Sequence, residues 1–165
     1  MPTHPYQKRI LKEYAGLRKN TLPGISLIPI EDTSDISTLI FSITLPPDDD
    51  GVLHSLYRSD TYHLRIIITP DYPVDSPQVQ FILYGTAEQQ KIPVHPHIYS
   101  NGHICLDLLG SGWTPACSME SILLSIQSML STNSSNERPP DNANYVSHAP
   151  LNPKNTGFVY HDDNV

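Results

Sequence analysis

The chain has 165 residues, the size of one ordinary domain, with 38% hydrophobic residues, sixteen prolines against eight glycines and a net charge of −7. That charge excludes nonspecific binding to nucleic acid, whose phosphates demand a positive surface, and no apolar stretch reaches the length of a bilayer crossing. Two cysteines, Cys105 and Cys117, are too few for a disulfide framework, and "MPTHPYQKRI" has no apolar run of a secretory signal, so a soluble intracellular protein with two thiols is expected.

In "HPYQKRILKEYAGLRKN" the residues Tyr6, Ile10, Tyr14 and Leu17 fall on one helical stripe, which predicts an amphipathic first helix ending near Asn20. Five of the ten Lys and Arg residues, Lys8, Arg9, Lys12, Arg18 and Lys19, lie in this opening stretch. An acidic chain therefore begins with a basic element, which suits either a solvated face or an acidic partner. "LPGISLIPI", "STLIFSITLP", "TYHLRIIITP" and "PQVQFILY" read as four successive strands with short connections, for which an antiparallel meander is the economical topology. "PDDDG" between the second and third suits a tight turn, and the prolines of "DYPVDSP" interrupt ladder bonding before the fourth. Further on, Met119, Ile122, Leu123, Ile126, Met129 and Leu130 recur at helical spacing after Ser118, a credible N-cap. That helix is expected to cover one face of the sheet. The stretch after it, rich in Pro, Asn and Ser, reads as irregular.

The segment "HPHIYSNGHICLDLLGSGWTPA", residues 95 to 116, concentrates the chemistry. His95, His97, His103 and Cys105 are donors a zinc ion accepts, yet paired H-x-H and H-x-C do not match the usual ligand spacings, and no metal is expected. A cysteine hydrolase needs a base held against Cys105 and a group to orient it, and nothing local supplies that geometry. A lone cysteine is otherwise a small buried residue.

These residues resemble a known family. "YPVDSPQVQF", "HPHIYSNGHICLDLL", "WTPA" and "SILLSIQSML" are similar, in that order, to the proline segment, active-site segment, tryptophan loop and crossover helix of ubiquitin-conjugating enzymes. The likeness covers roughly residues 4 to 145. It implies an α+β ubiquitin-conjugating (UBC) fold, with a catalytic core over 1–145 and an irregular C-terminal segment over 146–165. It also implies that Cys105 takes the C-terminal carboxyl of ubiquitin from an activating enzyme as a thioester and passes it to an amine with the help of a RING-type ligase, in the cytoplasm or nucleus and without a cofactor. Such exchange needs no strongly lowered thiol pKa.

By the same resemblance, Lys8, Arg9 and Lys12 would dock the activating enzyme, and that end together with Pro73, Val74, Thr114, Pro115 and Ala116 would meet the ligase. Val74 stands where family members commonly carry phenylalanine. Asp107 matches an acidic position that orients the incoming amine, and Asp141 lies in the segment that gates the cysteine. His95, Pro96, Tyr99 and Asn101 are expected to shape the loop. Where most members read His-Pro-Asn, this chain reads His95-Pro96-His97, leaving three roles open for His97: donor, base or packing. This tripeptide, "NGHICL", "RPPDN" and the ending "YHDD" resemble the W-type branch, which modifies α-amino groups of flexible N-termini. An α-amine, with a pKa of about 7.8 against about 10.4 for lysine, needs less help in losing a proton. The alternatives are a lysine-directed conjugating enzyme and a noncatalytic ubiquitin-binding module on the same scaffold.

Overall fold

Alternation along the extended segments places Leu39, Phe41 and Ile43, then Tyr62, Leu64 and Ile66, then Val79 and Phe81 in the interior. Burying these alternate side chains is what fixes the strands and their register. The computed structural model describes residues 4–32 and 34–156. Within them β1 (Ile25–Leu27), β2 (Thr38–Ile43), β3 (Tyr62–Ile67) and β4 (Gln78–Ile82) form one antiparallel sheet in sequence order, the expected meander. Phe41 stands opposite Leu64, and Leu64 opposite Phe81, so one apolar row crosses three strands.

The helix α2 (Met119–Ser131) supplies Met119, Ile122, Leu123, Ile126 and Leu130 to the same core. Each such side chain contributes about 2 kcal/mol on burial. Ser118 caps it reciprocally: its hydroxyl accepts from the Ser121 amide at 3.2 Å, and the Ser121 hydroxyl accepts from the Ser118 amide at 2.7 Å. The helix α1 (Gln7–Lys19) buries Ile10 and Tyr14 with Leu17 packed beside them. Tyr6 does not continue that stripe; it precedes the first turn and is 44% exposed.

Two connections depart from the sequence reading. "PDDDG" does turn, with the Asp48 carboxylate accepting from the amides of Asp50 and Val52, each at 2.9 Å, and Gly51 in the left-handed region. The whole link between β2 and β3 nevertheless runs over residues 44–61, because a second turn brings Tyr57 inward. Tyr57 is buried, and its hydroxyl donates to the Val94 carbonyl at 2.7 Å.

Beyond α2 the irregular reading holds for residues 132–141, but a third helix, α3 (Asn142–His148), follows and crosses the 145/146 division. A seven-residue helix containing Asn, Ser and Val has little stability of its own. Tertiary contacts make it: the Tyr145 ring stacks on Tyr99 at 3.9 Å, and the Asn142 carboxamide accepts from the Ser100 amide at 2.9 Å. A 3₁₀ turn at Pro153–Asn155 ends the described chain. There the Lys154 ammonium donates to the carbonyl and hydroxyl of Ser76 at 2.7 and 2.8 Å and pairs with Asp75 at 3.0 Å. The "YHDD" ending lies outside the described residues.

Candidate active site

The segment leading to Cys105 is built as a set of short bridges laid along β4. Gln80 pairs with His103 and Ile98 with Ile104, while the Phe81 amide donates to the Gly102 carbonyl at 2.9 Å. Gly102 has φ +92, and a side chain there would collide with the Phe81 carbonyl, so only glycine permits this approach. The Asn101 carboxamide accepts from the His103 amide at 3.1 Å, closing the turn. Cys105 follows, its amide donating to the His97 carbonyl at 2.8 Å, and is 8% exposed.

His95 is wholly buried. Its Nδ1 accepts from the His97 amide at 2.9 Å across Pro96, which leaves Nε2 to donate to the Met129 carbonyl of α2 at 3.1 Å. This fixes the tautomer. Burial pushes its pKa down to about 4, assisted by neighbouring His97 and opposed by the Met129 carbonyl, so the ring is neutral at pH 7. His97 is half-buried and borders a groove with Leu106, Leu124, Ser128 and Met129.

The other side of the segment is aromatic. The Tyr99 hydroxyl donates to the Asp141 carboxylate at 3.0 and 3.3 Å, and the Tyr145 hydroxyl meets His103 Nδ1 at 2.8 Å. His103 also bonds the backbone of Leu151, and burial lowers its pKa. Burial raises the pKa of both tyrosines, with the neighbouring charges of Asp141 and Cys105 adding to the effect. Tyr99, Tyr145 and Asp141 therefore share one neighbourhood. The Asp107 carboxylate bonds locally, accepting from the Ser111 hydroxyl at 2.6 Å over the 3₁₀ turn Asp107–Leu109.

This geometry bears on the other chemistries weighed for the segment. The ring nitrogens of His95 and His103 are spent on backbone and on Tyr145, which leaves neither ring as a ligand or as a base for Cys105. Among the described residues no group of three or more His, Cys, Asp or Glu side chains is placed to hold a metal.

At the far end, Glu13 gathers three parts of the chain. Its carboxylate accepts from the Tyr72 hydroxyl at 2.6 Å, from Arg9 Nε at 3.2 Å and from the Met119 amide at 2.8 Å. Arg9 goes on to donate to the carbonyls of Pro115 and Cys117, and the Trp113 indole donates to the Pro73 carbonyl at 2.8 Å. Arg9, Pro73 and the 114–116 loop are thus brought together, with Val74 60% exposed and Thr114, Pro115 and Ala116 at the surface. Lys8 and Lys12 are placed on the same helix, whereas Arg9 is the basic residue that clasps the loop.

Sequence reasoning missed Glu13, Tyr145 and Arg138. Arg138 donates to the carbonyls of Ile92 at 2.9 Å, Pro93 at 2.6 Å and Ile98 at 3.1 Å, binding the stretch just before Asp141 to the segment that leads to Cys105. One signal was present: it is the only Lys or Arg between Lys91 and Lys154. Glu13 and Tyr145 carried no such mark.

Comparison with known proteins agrees with this geometry. The family model described as ubiquitin-conjugating enzyme matches residues 9–156. A probable ubiquitin-conjugating enzyme E2 W-A of Danio rerio is 41% identical over 95% of this chain and 96% of its own. The ubiquitin-conjugating enzyme E2 W of Caenorhabditis elegans is 37% identical over 96% of each chain. The crystal structure of the ubiquitin-conjugating enzyme E2 UbcA1 from Agrocybe aegerita superposes with a TM-score of 0.76 at 38% identity, covering 89% of this chain and 96% of that one. Motif order, sheet, crossover helix and these likenesses converge, and the chain belongs to the ubiquitin-conjugating enzyme family, with W-type enzymes among its relatives.

Proposed function

We propose that Cys105 carries ubiquitin as a thioester and that the acyl group goes to the α-amino end of flexible protein substrates. The carrying observation is that both buried histidines beside Cys105 are committed to the scaffold. An attacking amine must then arrive largely unprotonated. At pH 7 roughly a tenth of an α-amine is neutral, against well under a thousandth of a lysine, an advantage of a few hundred-fold before any positioning. His97, in place of the usual asparagine, fits an acceptor that asks less of the site.

The catalytic core is assigned to residues 1–145 and an appended segment to 146–165, whose Lys154 bonds to Ser76 of the core. An activating enzyme meets Lys8 and Lys12, and a RING-type ligase meets Val74 and the Thr114–Ala116 loop. Arg9 serves both surfaces by shaping them. Asp107 and Asp141 orient the amine and gate the cysteine. The cytoplasm and nucleus, which keep thiols reduced, are the compartments for this chemistry.

Charged enzyme is offered a lysine-bearing flexible peptide with its N-terminus either open or acetylated, and products are mapped by mass spectrometry. Modification of the open terminus, lost on acetylation, is the expected result. Ubiquitin found only on lysines would assign the enzyme to the lysine-directed class.

A further inference from the structure

The stretch 92–98 leads into the active-site segment with two prolines, Pro93 and Pro96, so it cannot pair as a regular strand and its carbonyls need donors from elsewhere. Two residues remote in the chain supply them. Arg138 Nη1 donates to the Pro93 carbonyl at 2.6 Å and to that of Ile98 at 3.1 Å, while Nη2 donates to Ile92 at 2.9 Å. The Tyr57 hydroxyl donates to the intervening Val94 carbonyl at 2.7 Å and accepts from the Asn133 carboxamide at 2.7 Å. One guanidinium therefore ties both ends of 92–98 together, which its planar fork of donors allows. Among the described residues no carboxylate pairs with Arg138, so these carbonyls are its partners.

The carbonyl next to that of Ile98 is the one that holds the cysteine. The Cys105 amide donates to the His97 carbonyl at 2.8 Å, the Ile98 amide donates to the His95 carbonyl at 3.1 Å, and Ile98 is bridged to Ile104. Ile98 and Ile104, which flank this contact, are both buried. A shift of Ile98 is therefore passed to the His97 carbonyl and on to Cys105. We infer that Arg138 is a positioning residue for acyl transfer: through Ile98 it fixes the backbone frame on which Cys105 presents its thioester. This rests on the reading of Cys105 as the ubiquitin carrier. In transfer the neutral amine nitrogen attacks the thioester carbonyl carbon, the C–N bond forms, the C–S bond breaks, and Cys105 leaves as thiolate. The proton that the nitrogen sheds returns the thiolate to thiol. The rate of that attack depends on the angle and distance of approach, and a misplacement of about 1 Å can cost about a hundred-fold. Arg138 is engaged by the scaffold rather than by the acceptor, so its loss should lower kcat and leave KM in place.

The test compares Arg138→Met, Arg138→Lys and Leu39→Ala with the wild type. Leu39 is buried in β2, and its truncation weakens the fold without removing a donor from 92–98. Each enzyme is charged with ubiquitin and mixed over a range of concentrations with a lysine-free flexible peptide whose N-terminus is open. Discharge gives kcat and KM, at a temperature where circular dichroism shows the variants folded. In Arg138→Met kcat should fall about ten-fold, and by at least about five-fold, with KM within about two-fold of the wild type. The ammonium of Arg138→Lys keeps the charge but not the fork, so its kcat should lie between those of Arg138→Met and the wild type. Leu39→Ala should keep kcat within about five-fold of the wild type, since it leaves the frame of Cys105 alone. If Arg138→Met does not fold, Arg138→Lys decides in its place, with kcat lowered about two-fold or more at unchanged KM.

A smaller fall in kcat, an effect carried by KM, an Arg138→Lys no faster than Arg138→Met, or an equal fall in Leu39→Ala overturns the inference. The readings fail differently. A wild type that never charges refutes Cys105 as carrier and this inference with it. A wild type that charges but spares the peptide refutes only the α-amino preference, and Nα-acetyllysine amide then serves as acceptor in the same comparison. A wild type that charges and discharges, with Arg138→Met as fast, refutes only the role of Arg138.

Discussion

Removing the Glu13 carboxylate should loosen three segments at once. The side chain is 14% exposed and Arg9 is 32% exposed, so solvent screens this ion pair only partly. In Glu13→Ala the Tyr72 hydroxyl, on a residue with no exposed surface, loses its acceptor, as does the amide of Met119, which is equally buried. Each buried group left unsatisfied costs about 1 to 3 kcal/mol. Arg9 keeps the carbonyls of Pro115 and Cys117, which limits its own share of the loss. The total is about 3 kcal/mol, or a fall in Tm of about 10 °C for a chain of this size. Glu13→Gln retains a carbonyl acceptor and should lose about half as much. Thermal unfolding followed by circular dichroism measures both. A loss below about 0.5 kcal/mol in Glu13→Ala, under the smallest cost of one unsatisfied buried group, would show that the clasp does not hold these segments, and the account of the docking face would be wrong.

Acid should destabilise the protein through His95. Its folded pKa of about 4 lies below the ordinary 6.5, so the unfolded chain binds the extra proton first: stability is full above pH 6.5 and falls through the window from 6.5 to 4. The slope is about 1.4 kcal/mol per pH unit for one group, with His63 and His103 adding in the same direction. Urea midpoints that stay level from pH 7 to pH 5 would contradict this. Arg138→Met should release the carbonyls of Ile92, Pro93 and Ile98 and cost about 2 to 3 kcal/mol. Hydrogen exchange of the amides around residues 92–105 should quicken more than that of β2 and β3. Uniform quickening across the sheet would mean that Arg138 supports the whole fold rather than the active-site segment.

Periodicity made α1, α2 and the four strands legible, because each buries one face against a common core and the spacing of its apolar residues records that face. The meander followed from strand order. What sequence alone left hidden depends on contacts far apart in the chain. The helix α3 has no periodicity to read, since it exists by stacking Tyr145 on Tyr99 and bonding Asn142 to Ser100. Arg9 carries the same charge as Lys8 and Lys12, and only the carbonyls of Pro115 and Cys117 show that it clasps a loop. At the site, the motif around Cys105 placed the segment, but which histidine nitrogens were engaged depended on Met129 and Tyr145 from two later helices. Tyr99 could be assigned to the loop from sequence, but its bond to Asp141 could not.

The central claim concerns Cys105 and is tested by loading. The protein is incubated with ubiquitin, activating enzyme and ATP, and the products are separated with and without reductant. The account predicts a single adduct that reductant removes and that Cys105→Ala does not form. A folded sample that yields no such adduct, or one that persists in Cys105→Ala, would contradict it.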